Sequence, residues 1–245
     1  MLAPIHRLSA ALLGVALFMG ASLATATDLP SWRSLARIAP DANPLAIRLA
    51  LDAMRCASAH HMPTANRLAL IDYSRPSTQR RLWIFNLRRP RLLMHELVAH
   101  GRNSGGDHAR RFSNRDGSLE SSLGLYRGLR TYQGDNGYSL RLQGLDPGFN
   151  DNALARAVVI HGARYVSHRF AQREGRIGRS WGCPAVSTRV AGRVIDSLKD
   201  GQMIFAYYPD PRWLNDSHLL NCPLVRHSVE RIAERLLMPE RMAAR

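Results

Sequence analysis

Between residues 67 and 208 the apolar residues come in short runs, each closed by glycine, proline or a polar residue. Leu68 to Tyr73, Arg81 to Asn86, Leu92 to Ala99 and Met203 to Tyr208 read as strands, and Tyr138 to Leu142 alternates weakly as another. Asp116-Gly117, Gly134, Gly137, Asp146-Pro147-Gly148 and Asp200-Gly201 are turn punctuation between them. Helical spacing is found in fewer places. Asp41 or Asn43 before Pro44 starts a helix carrying Leu45, Leu49, Ala53 and Cys56, which ends near His60 and Pro63. Ser187 to Leu198 places Val190, Val194 and Leu198 on one face, and Ser228 to Met242 reads as a polar, partly basic helix. Many strands with few helices predict an α+β domain, β-rich with a mixed sheet or sandwich and flanking helices, rather than alternating βαβ units. No internal repeat, long linker or low-complexity tract divides the chain.

The ends and the charge bound the setting. His6 and Arg7 precede an apolar stretch, Ala10 to Gly20, too short to span a bilayer, and Ala24-Thr25-Ala26 has the small-x-small form of a cleavage site. Residues 1–26 are therefore expected to be a signal peptide, with the mature protein in the periplasm or cell envelope. No further membrane span is expected after cleavage. The remainder, about 220 residues, suits one domain with a real core, and a monomer is expected. The formal charge is +15, nearly all of it from arginine, since Lys199 is the sole lysine. Such a balance suits nucleic acid, anionic lipid or an anionic polymer such as a cell wall, although a merely solvated basic surface accounts for it as well. Export and the lack of a basic-aromatic array argue against nucleic acid.

The chemistry is concentrated in Gly178-Arg179-Ser180-Trp181-Gly182-Cys183-Pro184. A cysteine between glycine and proline lies in a tight turn, expected to present its sulfur at the surface. Upstream, Ala157 to Ile160 reads as a buried strand ending at His161-Gly162. Cysteine and histidine together supply a nucleophile and a base, the minimum for acyl transfer through a thioester. The three cysteines are an odd number, which leaves at least one thiol unpaired in an exported protein, here assigned to Cys183. Cys56 and Cys222 either form a disulfide closing a very long loop or remain two unrelated buried thiols.

Ser-x-Gly-Cys with an upstream His-Gly resembles the signature of the murein L,D-transpeptidase catalytic domain family, the YkuD-like enzymes. Leu97-Val98-Ala99-His100-Gly101, Phe112-Ser113-Asn114, Ser121-Ser122-Leu123-Gly124, Gly144-Leu145-Asp146 and Asn150-Asp151 extend the resemblance to a divergent branch. It covers roughly Leu68 to Pro209. The pattern departs from the commoner form in having Trp181 for histidine, Pro184-Ala185 for an aliphatic residue followed by Asn or Arg, and a longer gap from His161 to Cys183. With the helices read above, the chain is expected to divide into an N-terminal helical segment over 27–66, an L,D-transpeptidase-like catalytic domain over 67–210, as the resemblance implies, and a C-terminal helical extension over 211–245. The resemblance also implies a transpeptidase acting on peptidoglycan stem peptides. Cys183 would be the nucleophile and His161 the base, with its tautomer fixed by a carbonyl near Gly162. The N–H groups of Gly182 and Cys183 would bind the oxyanion, since Pro184 has none to offer. Arg179 and Ser180 would steer the anionic stem, while Trp181, Gly162 and His100 would complete the substrate surface. For Trp181 the competing expectation is a packed anchor for the turn. If water resolved the thioester, the site would serve an L,D-carboxypeptidase or endopeptidase; a non-catalytic wall-peptide-binding protein is the rival of another class. An enzyme of this kind carries the expectation of a depressed thiol pKa. No cofactor or metal is required.

Other motifs carry less. His95-Glu96 and His100 have the wrong spacing for a zinc-binding helix, five residues apart, which is about 140° around a helix and opposite faces of a strand. Gly101 to Gly106 lacks the Lys-Ser/Thr pair of a phosphate loop and reads as a mobile rim loop. Ser121 and Ser122 lack a nucleophile elbow.

Overall fold

The computed structural model describes residues 29–60, 62 and 65–225. The expected signal peptide and the helix expected over Ser228 to Met242 lie outside the described residues.

Two helices open the described chain. In α1 (Trp32–Ile38) the Ser31 hydroxyl caps by accepting the Ser34 N–H at 3.2 Å. In α2 (Pro44–Ala59), Asn43 Oδ1 accepts the N–H groups of Leu45 and Ala46, and Pro44 occupies the first turn where no donor is needed. The buried residues of α2, among them Ile47, Leu49, Leu51 and Ala53, join the same core as the sheet rather than forming a separate layer.

The sheet has nine strands: β1 (Arg67–Asp72), β2 (Leu82–Asn86), β3 (Arg91–Glu96), β4 (Val98–Ala99), β5 (Gly124–Gly134), β6 (Gly137–Gly144), β7 (Val159–Ala163), β8 (Ala185–Ser187) and β9 (Met203–Tyr207). Their order is β3-β2-β1-β9-β5-β6-β7-β8-β4. Only β1/β9 and β7/β8 are parallel, so the sheet is mixed and the domain is α+β. Short helices α3 (His168–Glu174), α4 (Ala191–Leu198) and α5 (Pro211–Asp216) complete it. Trp83, Phe85, Leu68, Leu70 and Phe205 are sealed from solvent in the core. Each contributes about 1.5–3 kcal/mol through apolar burial. Among the described residues no helix is long and apolar enough to cross a membrane.

Three departures from the sequence reading have local causes. The run Leu92 to Ala99 is two strands: β3 pairs with β2 up to Glu96, then the chain turns so that β4 pairs with β8 at the opposite edge. Arg81 holds this divergence, donating from Nε to the Val98 carbonyl at 3.0 Å and from Nη1 to the Arg75 carbonyl at 2.7 Å. The longest strand, β5, has no marked alternation and went unread, because its middle departs from regular pairing between Gly128 and Thr131. His161 does not end its strand; it is the middle residue of β7, with Ser139 and Ala185 as neighbours on either side.

Cys56 and Cys222 are joined as a disulfide with Cα atoms 6.3 Å apart, tying α2 to the segment after α5 across 166 residues. Asp146 ties down the same region. Its buried Oδ2 accepts from Trp213 Nε1 at 2.8 Å and Ser217 Oγ at 2.7 Å, while Asn150 Oδ1 receives its N–H at 2.8 Å. The Gly144-Leu145-Asp146 and Asn150 motifs are thus framework.

Candidate active site

The nucleophile turn is a strand-like extension laid against the chain after β4. Ser180 N–H donates to the His100 carbonyl at 3.0 Å and Arg102 N–H donates to the Ser180 carbonyl at 2.8 Å, a parallel bridge. Ser180 Oγ then closes the turn, accepting Gly182 N–H at 3.1 Å and donating to the Cys183 carbonyl at 2.6 Å. Gly182 has φ +125°, and a Cβ there would meet the Glu120 carbonyl oxygen at 2.8 Å, so both conformation and space require glycine. Its own carbonyl accepts from Ser121 Oγ at 3.0 Å. Ser121, buried, also receives Gly101 N–H at 3.0 Å, so one hydroxyl joins both halves of the bridge.

The parallel pairing of β7 with β8 sets His161 on the strand next to the one that follows Cys183. His161 is level with Ala185, two residues beyond Cys183. The Cys183 thiol lies 3.9 Å from the Ala157 carbonyl and is approached by the Val159 backbone, two residues before His161. His161 Nδ1 lies 3.2 Å from the Gly162 carbonyl. A carbonyl only accepts, so Nδ1 carries the proton and Nε2 keeps its lone pair, the tautomer a general base needs.

Burial sets the resting charge state. It pushes the Cys183 thiol up, offset in part by the Val159 backbone and the Arg156 charge. It pushes His161 down, offset in part by the Gly162 carbonyl. At neutral pH both groups are uncharged, a thiol and a neutral imidazole. The expected depressed thiol pKa is therefore reversed, because the residue is half-buried rather than presented at the surface.

Several expected substrate contacts lie elsewhere. His100 is fully buried and does not line the cleft. Its Nδ1 takes a hydrogen bond from Arg81 Nη2 at 2.7 Å, and desolvation plus that charge pull its pKa down to about 3. Ser180 is buried and committed to the turn, so it does not face substrate. Gly182 N–H is engaged by Ser180, which removes it from the expected oxyanion pair; Cys183 N–H has no acceptor among the described residues. Gly162 is half-exposed, and a Cβ there would press on Ala191 Cβ at 3.0 Å, so glycine lets α4 approach β7. Arg179 is half-buried and staples the 102–105 segment, donating to the carbonyls of Arg102 at 3.1 Å and Gly105 at 2.8 Å. That segment, expected as a loose rim, is pinned further by Arg110 and Arg111 N–H groups on the Ser104 carbonyl. Trp181 is 74% exposed, which overturns the packed-anchor reading and leaves its indole free beside the cysteine.

Residues 39–207, from before α2 to the end of β9, match the L,D-transpeptidase catalytic domain family. The chain belongs to this family. Its similarity to solved L,D-transpeptidase structures is remote. The protein from Mycobacterium smegmatis aligns at 13% identity and a TM-score of 0.37, covering 59% of each chain. The one from Stackebrandtia nassauensis aligns at 15% identity and a TM-score of 0.35, covering 67% of this chain and 68% of that one. The chain thus spans 59% of the length of the Mycobacterium smegmatis protein. No curated protein matches the sequence.

In this L,D-transpeptidase-family domain, three supporting residues escaped the sequence reading. Ser121 lies within the Ser121-Ser122-Leu123-Gly124 motif, where the sequence alone offers only its lack of a nucleophile elbow. Arg81 was counted as the first residue of a strand. Arg156 had no signal separating it from the chain's other arginines.

Proposed function

We propose that this chain is an exported L,D-transpeptidase with a cysteine nucleophile acting on peptidoglycan stem peptides. Its catalytic unit would span residues 67–210 between helical flanks. The observation that carries the reading is the Cys183 thiol held on a glycine turn that leads into β8, the strand paired with His161, whose Nδ1–H is committed to the Gly162 carbonyl at 3.2 Å.

From a neutral pair, reaction begins by general-base catalysis. His161 Nε2 takes the thiol proton as Sγ attacks the carbonyl of the amide between the L-centre of a diamino acid and the terminal D-residue. The Cys183 N–H stabilises the oxyanion. The C–N bond breaks, His161 returns its proton to the leaving amine, and a thioester remains. The side-chain amine of a second stem then attacks. A new C–N bond forms, the C–S bond breaks, and the amine's proton passes through His161 to the sulfur. Arg179, whose pKa is lowered by burial and by the nearby Arg176 and Arg102 charges, lies in a positive region suited to a stem carboxylate. Trp181 offers an apolar face at the same rim. No step calls for a metal or cofactor.

Incubating purified walls with the protein and resolving the muropeptides by mass tests the reading. New cross-links between diamino acids, absent with Cys183→Ala, support it. Shortened or cleaved stems without cross-links would make it a hydrolase, and unchanged walls with retained binding would make it a binding protein.

A further inference from the structure

Arg156 lies in the turn between the 3-10 helix (Asp151–Ala153) and β7, beside the nucleophile turn. Its Nη1 donates to the Ser113 carbonyl at 2.7 Å and Ser122 Oγ at 2.6 Å; its Nη2 donates to Ser118 Oγ at 3.0 Å and the Glu120 carbonyl at 2.8 Å. All four acceptors are neutral. Among the described residues no carboxylate comes within 4.0 Å of it. The Glu120 carboxylate instead pairs with Arg111 at 3.5 Å. A half-buried guanidinium is thus oriented by four hydrogen bonds without a carboxylate partner within 4.0 Å among the described residues.

That charge lies against the nucleophile turn. Nη2 lies 3.4 Å from where a Gly182 Cβ would sit, and the next residue, Ala157, turns its carbonyl toward the Cys183 thiol. Ala157 does so with φ +52°, a conformation uncommon for a residue with a side chain. We propose that Arg156 is a positioning residue whose charge, without a carboxylate partner, stabilises the Cys183 thiolate as the thiol gives up its proton. In a partly desolvated site a neighbouring opposite charge favours the ionised form, by about 1–3 pKa units where it lies within about 4–6 Å. This rests on the reading of Cys183 as nucleophile. It adds a full positive charge to the Val159 backbone in offsetting the burial penalty on the sulfur, a task that His161, uncharged at rest, does not perform.

Alkylation by iodoacetamide tests it without any wall substrate: the thiolate displaces iodide and forms a C–S bond. With Cys56 and Cys222 in a disulfide, Cys183 is the free thiol. The alkylation rate is measured across pH on folded wild type, Arg156→Gln, Arg156→Lys and the Ser118→Ala/Ser122→Ala double variant. Loss of the charge should raise the midpoint by about one unit, slowing alkylation at pH 7.5 about tenfold. Lysine should preserve most of the wild-type profile, and so should the serine variant, which loses two tethers but no charge. A folded Arg156→Gln protein with the wild-type profile, or a serine variant that reproduces the glutamine shift, overturns the proposal. If Arg156→Gln does not fold, nitrogen NMR of the Arg156 guanidinium in wild type decides. Its resonance should titrate with the thiol midpoint and stop doing so in Cys183→Ser; a resonance indifferent to the thiol refutes the assignment. Protein that passes these tests but leaves walls unchanged would retain the Arg156 assignment and lose the transpeptidase reading.

Discussion

Ser180 Oγ donates to the carbonyl of Cys183 across 2.6 Å while accepting the N–H of Gly182 at 3.1 Å. One hydroxyl therefore fixes the backbone on both sides of the Gly182–Cys183 peptide. Ser180→Ala should leave a buried N–H and carbonyl without partners, at a cost of about 1–3 kcal/mol. It should also slow Cys183 acylation by a carbapenem-type acyl donor, because the sulfur is no longer held in place. Gly182→Ala should be the more severe change, through positive φ and the Glu120 carbonyl in the way. Thermal melts and acylation rates measured on both variants check the order; a fully active Gly182→Ala protein would contradict the geometry.

Cys183→Ala should abolish turnover while changing stability by about 1 kcal/mol or less, since the half-buried residue contributes little core. His161→Ala should lose about 10²–10⁴ in acylation rate or more, the usual contribution of a general base. In wild type, alkylation of Cys183 should be slow below neutral pH and rise with a midpoint above the ordinary thiol value. Fast alkylation at pH 6 would mean a preformed thiolate and refute the neutral pair.

Acid sensitivity should trace to His100. Its folded pKa of about 3 lies below the unfolded value, so the unfolded chain takes up a proton that the folded chain refuses. The neutral form's contribution is complete above pH 6.5 and is lost progressively as pH falls from there toward 3. By pH 5 the loss amounts to about 2 kcal/mol. Denaturant melts at pH 7.5 and pH 5 should show it. His100→Asn, which keeps an acceptor for Arg81, should flatten that limb; an unchanged acid limb would place the sensitivity elsewhere.

Reducing the Cys56–Cys222 link, or replacing either cysteine by serine, should cost about 2–5 kcal/mol. Peptide mapping without reductant should recover the two linked and Cys183 free. Finding Cys56 and Cys222 both alkylated in native protein would remove the constraint.

Local chemistry wrote much of this protein in plain view. Asn43-Pro44 marks the start of α2 because a cap and a missing donor act within one turn. Strands β1, β2 and β9 are legible since both their faces are buried, which demands continuous apolar runs. Cys183, Gly182 and His161 stood out because a tight turn and a strand constrain residue type locally. What stayed hidden depends on chain segments far apart in sequence. Nothing near His100 says that Arg81 will occupy its ring and bury it, so a cleft role looked reasonable from the chain alone. The thiol's pKa direction depends on how deeply β7 and the turn enclose the sulfur, which no spacing encodes. Ser121 and Arg156 reach the nucleophile turn only because the segments before β5 and β7 converge on it after folding. Residue types within a turn are chosen by local sterics, whereas the charge state and partners of a buried group are set by whatever the rest of the chain packs against it.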